Sequence, residues 1–186
     1  LDERVDLVLR GDRAARAYDS RIFQVQATFA DSLSHVLVAT SDGTLSYDRQ
    51  PLARFGVAAL ARQGQGTPQR GYAGGGGRVA LDFFLNDKTP EFFAKEAARQ
   101  AIVQLDAVPA PAGEMTVVLA PGMGGVLFHE AVGHPLESDA VDKEASVYRD
   151  LVGERCASEL INGVDDASVP NGWGSYDFDD EGTPGR

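Results

Sequence analysis

The stretch from Thr89 to Leu105 leaves the chain little conformational choice. Thr89-Pro90-Glu91 is a helix start, with a side chain able to accept from an orphan N–H, a proline where a missing N–H costs nothing, and an acid at the positive end of the dipole. Phe92, Phe93, Ala97, Ala101, Ile102 and Leu105 then recur on one face, and Pro109 and Pro111 end the helix. Such a face must be buried, and the residues before it offer a sheet. Ile22, Phe23, Val25, Ala27 and Phe29, then Val36, Leu37 and Val38, are β-branched or aromatic, divided at Asp31-Ser32 and closed by Asp42-Gly43, a good hairpin signal. This predicts strand, turn, strand, turn, then a third strand over Thr44 to Tyr47 and a fourth over Arg54 to Ala61. Turns so short imply antiparallel pairing. Residues 3 to 18 predict an amphipathic helix, weakened by Gly11, and Val79 to Leu85 a further strand.

The glycine-rich run Gly64 to Gly77 has neither the G-K-[ST] ending nor the G-x-G-x-x-G pattern of a phosphate cradle. It reads as a mobile loop or as a place where two backbones approach closely. Met115 to Ala120 predicts a compact apolar strand, followed by a glycine turn, Pro121 to Gly125, and the apolar run Val126-Leu127-Phe128. The expected fold class is α+β: a twisted antiparallel sheet with packed helices, then a strand, a glycine turn and a helix carrying the motif described below. Residues 1–112 read as one α+β domain and residues 113–186 as the start of a second region.

Composition narrows the function. The 186 residues are 43% apolar and 24% charged, enough for a core and unlike a disordered tail. The formal charge of −11 argues against a nucleic-acid or membrane-surface partner, and no run of 18 apolar residues exists to span a bilayer. Cys156, the single cysteine, cannot form an internal disulfide, which fits a reducing compartment. A start at Leu1 without Met and a loop-like end are what a piece of a longer chain would show.

Two of the three histidines fall in His129-Glu130-Ala131-Val132-Gly133-His134, an H-E-x-x-x-H motif. Neutral imidazoles are good zinc ligands, and a neighbouring carboxylate can take a proton from water whose pKa a metal has lowered to about 7. In the familiar H-E-x-x-H the histidines sit about 40° apart on a helix, whereas i and i+5 are about 140° apart. A straight α-helix would therefore separate the rings. A π-type turn would gather them, as would termination of the helix near His134. Pro135 and Gly133 supply local chemistry for termination, which is the geometry expected.

Other residues offer chemistry in weaker patterns. His35 lies in a strand-like run and reads as a surface or turn histidine. Glu137, Ser138, Asp139 and Asp142 would serve to orient the imidazoles, or would be solvated groups at a helix end. Asp177, Asp179, Glu181 and Gly182 imitate the opening of a calcium loop, but no flanking helix is evident. Ser138 and Ser175 lack a nucleophile-elbow setting. Cys156 sits in an apparently alternating strand, Glu154 to Leu160, and reads as structural or inert, with a thiol hydrolase as the rival.

From Gly124 to Asp139 the sequence Gly-Gly-Val-Leu-Phe-His-Glu-Ala-Val-Gly-His-Pro-Leu-Glu-Ser-Asp resembles the signature of the TldD branch of the TldD/PmbA peptidases. The likeness extends through Gly74 to Arg78, Pro109 to Glu114, Gly153-Glu154-Arg155 and Gly174 to Pro184, covering nearly the whole chain. The resemblance implies a cytoplasmic zinc metallopeptidase in which His129 and His134 hold Zn²⁺ and Glu130 activates water. The family's third ligand is a cysteine in a glycine-rich segment outside this chain, and Cys156 does not match it; two histidines alone should bind zinc weakly. The resemblance further implies flexible peptides or unfolded segments as substrate, and a homodimer or a heterodimer with a PmbA-like subunit. The rival of a different class is a binding or assembly module with a structural or vacant histidine pair.

Overall fold

A computed structural model describes every residue except Leu1, Asp87, Met123 and Arg186. The chain divides into two units, Leu1–Pro109 with Asp165–Arg186, and Ala110–Val164. The α+β expectation holds.

In the first unit the elements run α1 (Asp2–Arg16), β1 (Ile22–Ala39), β2 (Leu45–Ala61), β3 (Gln69–Gly77), α2 (Phe83–Asn86) and α3 (Pro90–Val103), the last continued by a 3₁₀ turn, Gln104–Asp106. The strands form one antiparallel sheet in the order β1-β2-β3. α1 and α3 pack against each other and against the sheet. Alternation along β2 sends Ala53, Phe55, Val57, Ala59 and Ala61 into the core, to meet Leu7 and Ala15 of α1 and Phe93, Ala94, Ala97, Ala98 and Ala101 of α3. Phe55 is the hub, with ring centroids 6.1 Å from Phe84 and 6.0 Å from Phe93.

α3 begins as its sequence dictates, with the Thr89 side chain accepting from the N–H of Phe92 and Pro90 in the first turn. Phe92 is not on its buried face, being 51% exposed with the Lys88 ammonium 4.4 Å from its ring centre. Gly11 does not break α1, and it lets the helix approach the sheet closely: a Cβ there would lie 2.7 Å from the Phe55 ring.

The strands depart from expectation in length. β1 runs for 18 residues with no turn at Asp31-Ser32, which pair in register with Ala53 and Leu52. Asp31 tolerates the strand because Arg4 of α1 grips its carboxylate, with Nε 2.9 Å from Oδ1. That contact lowers the Asp31 pKa, hydrogen bonding first. The expected third and fourth strands are one, β2, running through Pro51. The pairing of β3 with β2 reaches no further than Ala53, so among the described residues no strand flanks Pro51 on that side. The Asp42-Gly43 turn is where it was expected, with Gly43 at φ +96°.

The glycine run is neither a phosphate cradle nor wholly a loop: from Gln69 it is strand β3. A Cβ on Gly71 would fall 2.0 Å from the Ala97 carbonyl oxygen and 2.6 Å from the Ala101 nitrogen, so strand and helix meet backbone to backbone. Val79 to Leu85 is not a strand; α2 forms instead and buries Phe84.

Residues 165–185 are held to the sheet by a buried ion pair. Asp48, 3% exposed, accepts from Arg78 Nη2 at 2.7 Å and from Gln50 at 3.0 Å. The same guanidinium donates to the Ser175 carbonyl, and the Arg78 N–H to the Asn171 carbonyl at 3.2 Å. Burial alone would raise the Asp48 pKa, but the hydrogen bonds from Arg78 and Gln50 and the Arg78 charge bring it below the usual value.

The second unit contains α4 (Gly124–Phe128), a π-helical turn (His129–Gly133), α5 (His134–Leu136) and α6 (Ser138–Asp142). Gly122, at φ +98°, accepts from the Gly125 N–H in the predicted glycine turn, whose Met123 lies outside the described residues. Met115 to Ala120 is not a strand, with Val118 91% exposed, and no strand among the described residues pairs with it. Cys156 likewise lies outside any strand; its thiol is free and exposed, near the Glu154 carbonyl.

Candidate metal centre

The helix does not end near His134. It continues through Leu136, and the turn from His129 to Gly133 widens to π geometry, closed by the His134 N–H donating to the His129 carbonyl. The wider turn absorbs the extra residue that would have rotated His134 away. The expectation of termination is thus replaced by its alternative. Pro135 does not stop the helix: His134 before it keeps helical angles, φ −55° and ψ −44°.

The two rings consequently face each other, with centroids 4.4 Å apart and planes at 62°. Gly133 makes room: a Cβ there would lie 3.2 Å from His129 Nδ1. Glu130 Oε2 lies 3.6 Å from His134 Nε2. One ligand atom from each of His129, Glu130 and His134 fits within 4.8 Å of the others, and all three residues are exposed. Two imidazoles are neutral nitrogen donors suited to zinc, and a carboxylate stands beside them without being needed as a ligand, so the residues fit the metal that the sequence resemblance implies.

The acids downstream separate into distinct roles. Glu137 Oε1 is 2.8 Å from His134 Nδ1. Asp139 pairs with Lys143 at 3.0 Å, and that hydrogen bond depresses its pKa. Ser138 and Asp142 make no side-chain hydrogen bond among the described residues.

Ser146, which the sequence did not single out, is 6% exposed; its hydroxyl donates to the Pro135 carbonyl and accepts from the Tyr148 N–H at 3.0 Å. It secures the residues after α6 to the motif helix. Nothing in the sequence signals it, since its partner is a backbone carbonyl eleven positions earlier.

The remaining candidates lie outside this cluster. His35 sits in the first unit, its ring stacked on Tyr47 and bonded to that hydroxyl. Asp179 uses its carboxylate to cap its own loop, accepting from the N–H groups of Glu181 at 2.9 Å and Thr183 at 2.8 Å. Ser175 donates its hydroxyl to the Val169 carbonyl.

Comparison with known proteins places the chain in a family. Residues 1–105 match the PmbA/TldA metallopeptidase central domain, and residues 112–186 the C-terminal domain of the same family. A metalloprotease TldD homolog of Haemophilus influenzae is 44% identical over 100% of this chain and 39% of its own length. A zinc metalloprotease TldD homolog of Saccharolobus solfataricus is 37% identical over 47% of this chain and 20% of its own. A crystal structure of a Bacteroides thetaiotaomicron protein shares the fold with a TM-score of 0.81 at 18% identity, over 98% of this chain and 40% of that one. The chain therefore spans about two-fifths of the length of the Haemophilus relative. With both of its parts matched and a relative this similar along its whole length, the chain belongs to the TldD/PmbA metallopeptidases.

Proposed function

We propose that this protein is a zinc-dependent peptidase that hydrolyses flexible peptides or unfolded segments, with Glu130 as general base and His129 and His134 as metal ligands. The observation that carries the reading is the convergence of these three side chains, their ligand atoms within 4.8 Å of one another. Zinc, when bound, supplies Lewis acidity for the scissile carbonyl and for water. The imidazoles provide two neutral nitrogen donors, and Glu130, beside them and exposed, accepts the proton of the attacking water. A cysteine beyond this chain completes the ligand set, consistent with catalytic zinc sites having three protein ligands. The protein works in the cytoplasm, as a homodimer or as a heterodimer with a PmbA-like subunit.

The test is Glu130→Gln in the full-length protein. Turnover of an unstructured peptide should fall by about 10² to 10⁴-fold, the usual contribution of a general base, with zinc content unchanged. Hydrolysis at the parent rate would reject the role given to Glu130.

A further inference from the structure

Among the acids that follow the motif, one touches a motif histidine on its far side. His134 presents Nε2 toward Glu130 and Nδ1 toward Glu137, whose Oε1 is 2.8 Å away. An ionised carboxylate only accepts, so this contact requires a proton on Nδ1; in the neutral ring the lone pair is then on Nε2.

The position of Glu137 is built into the chain. It ends α5 with extended backbone, φ −63° and ψ 136°, and its N–H donates to the His134 carbonyl at 3.2 Å. Its own carbonyl accepts from Ala140 at 3.1 Å and Val141 at 3.2 Å, fastening it to the start of α6. The corner between the two helices thus fixes the backbone from which the carboxylate reaches the Nδ1 edge of the ring. Asp139, two positions on, is committed instead to Lys143, 3.0 Å away.

We propose that Glu137 is a positioning residue that fixes His134 as the Nδ1–H tautomer and aims its Nε2 lone pair at the metal position. The tautomer is a property of the chain alone, while the aim rests on the reading of His134 as a ligand. A partner behind a metal-bound imidazole sets ring orientation and basicity, and its removal typically weakens metal binding about 10 to 100-fold.

The experiment uses full-length protein, wild type, Glu137→Ala and Glu137→Gln, with circular dichroism and thermal melting as checks on folding. Ring-nitrogen NMR of metal-free protein labelled with ¹⁵N-histidine reads the tautomer of His134, and competition with a chromophoric chelator reads zinc affinity. Wild type should carry the proton on Nδ1. Glu137→Ala should shift the ring toward Nε2–H and bind zinc about 10 to 100-fold more weakly. Glu137→Gln, whose amide oxygen still accepts from Nδ1, should recover most of both. An Nε2–H ring in the wild type, or a tautomer or zinc affinity unmoved by Glu137→Ala, would overturn the proposal. Should the wild type bind no zinc, the ligand reading fails by itself, and the NMR comparison still decides what Glu137 does.

Discussion

The rings of His129 and His134 stand 4.4 Å apart, although five positions on an ordinary helix would place them about 140° from each other. The His134 N–H reaches back to the His129 carbonyl, and the backbone widens by one residue between them. The pairing is therefore a property of the turn, and substitutions within the turn should act on the rings before they act on the fold.

Gly133→Ala separates those two effects. Gly133 has right-handed helical angles, φ −60° and ψ −59°, so alanine is conformationally acceptable there and gains about 0.5–1 kcal/mol relative to glycine. Its Cβ would nevertheless crowd His129 Nδ1 at 3.2 Å. Thermal stability should hold or rise while zinc affinity falls about tenfold, measured by melting and chelator competition. Unchanged affinity would mean that the ring has room to give.

Asp48→Asn should loosen residues 165–185 from the sheet. The substitution removes the charge that Arg78 faces in a buried setting, and breaking such a pair costs about 3 kcal/mol. Urea unfolding should show that loss, and limited proteolysis should cut first between residues 165 and 185. A variant as stable and as protease-resistant as the wild type would assign the anchoring to other contacts.

Arg10→Met should flatten the acid limb of the stability curve. The Arg10 guanidinium, by its hydrogen bonds to Glu91, holds that carboxyl down to about 2 from 4.5, joining α1 to α3. A depressed carboxyl stabilises the fold above its unfolded pKa, and that contribution is lost as pH falls from about 4.5 toward 2. Since the Glu91 side chain is 36% exposed, solvent screening limits the effect to about 1 kcal/mol. The variant should be less stable than wild type at neutral pH and converge with it at about pH 2. Curves that run parallel throughout would place the acid sensitivity elsewhere.

The parts of the fold that were legible in the sequence are those whose cause is local. Thr89 and Pro90 start α3 through contacts within one turn, and Asp42-Gly43 closes the hairpin by its own geometry. Asp31-Ser32 misled because the residue that makes Asp31 acceptable in a strand, Arg4, is 27 positions away. β3 was obscured for a different reason: glycines carry no alternation for a period to register, so the strand shows itself only through its neighbours. At the site, the grouping of two imidazoles and a carboxylate was readable from His129-Glu130 and His134. The choice between a π turn and a helix end was not, because Gly133 and Pro135 are compatible with either. Ser146 left no trace in the pattern at all.

The meeting of Gly71 with the main chain of α3 at Ala97 and Ala101 has its own corollary. Elsewhere in a core, a larger residue on one side can be balanced by a smaller one opposite. Here both surfaces are already peptide backbone, so nothing opposite remains to be trimmed. Any bulk added at that point must lift the helix as a whole, taking Phe93 off Phe55, and the height of α3 above the sheet is in effect a constant of the architecture.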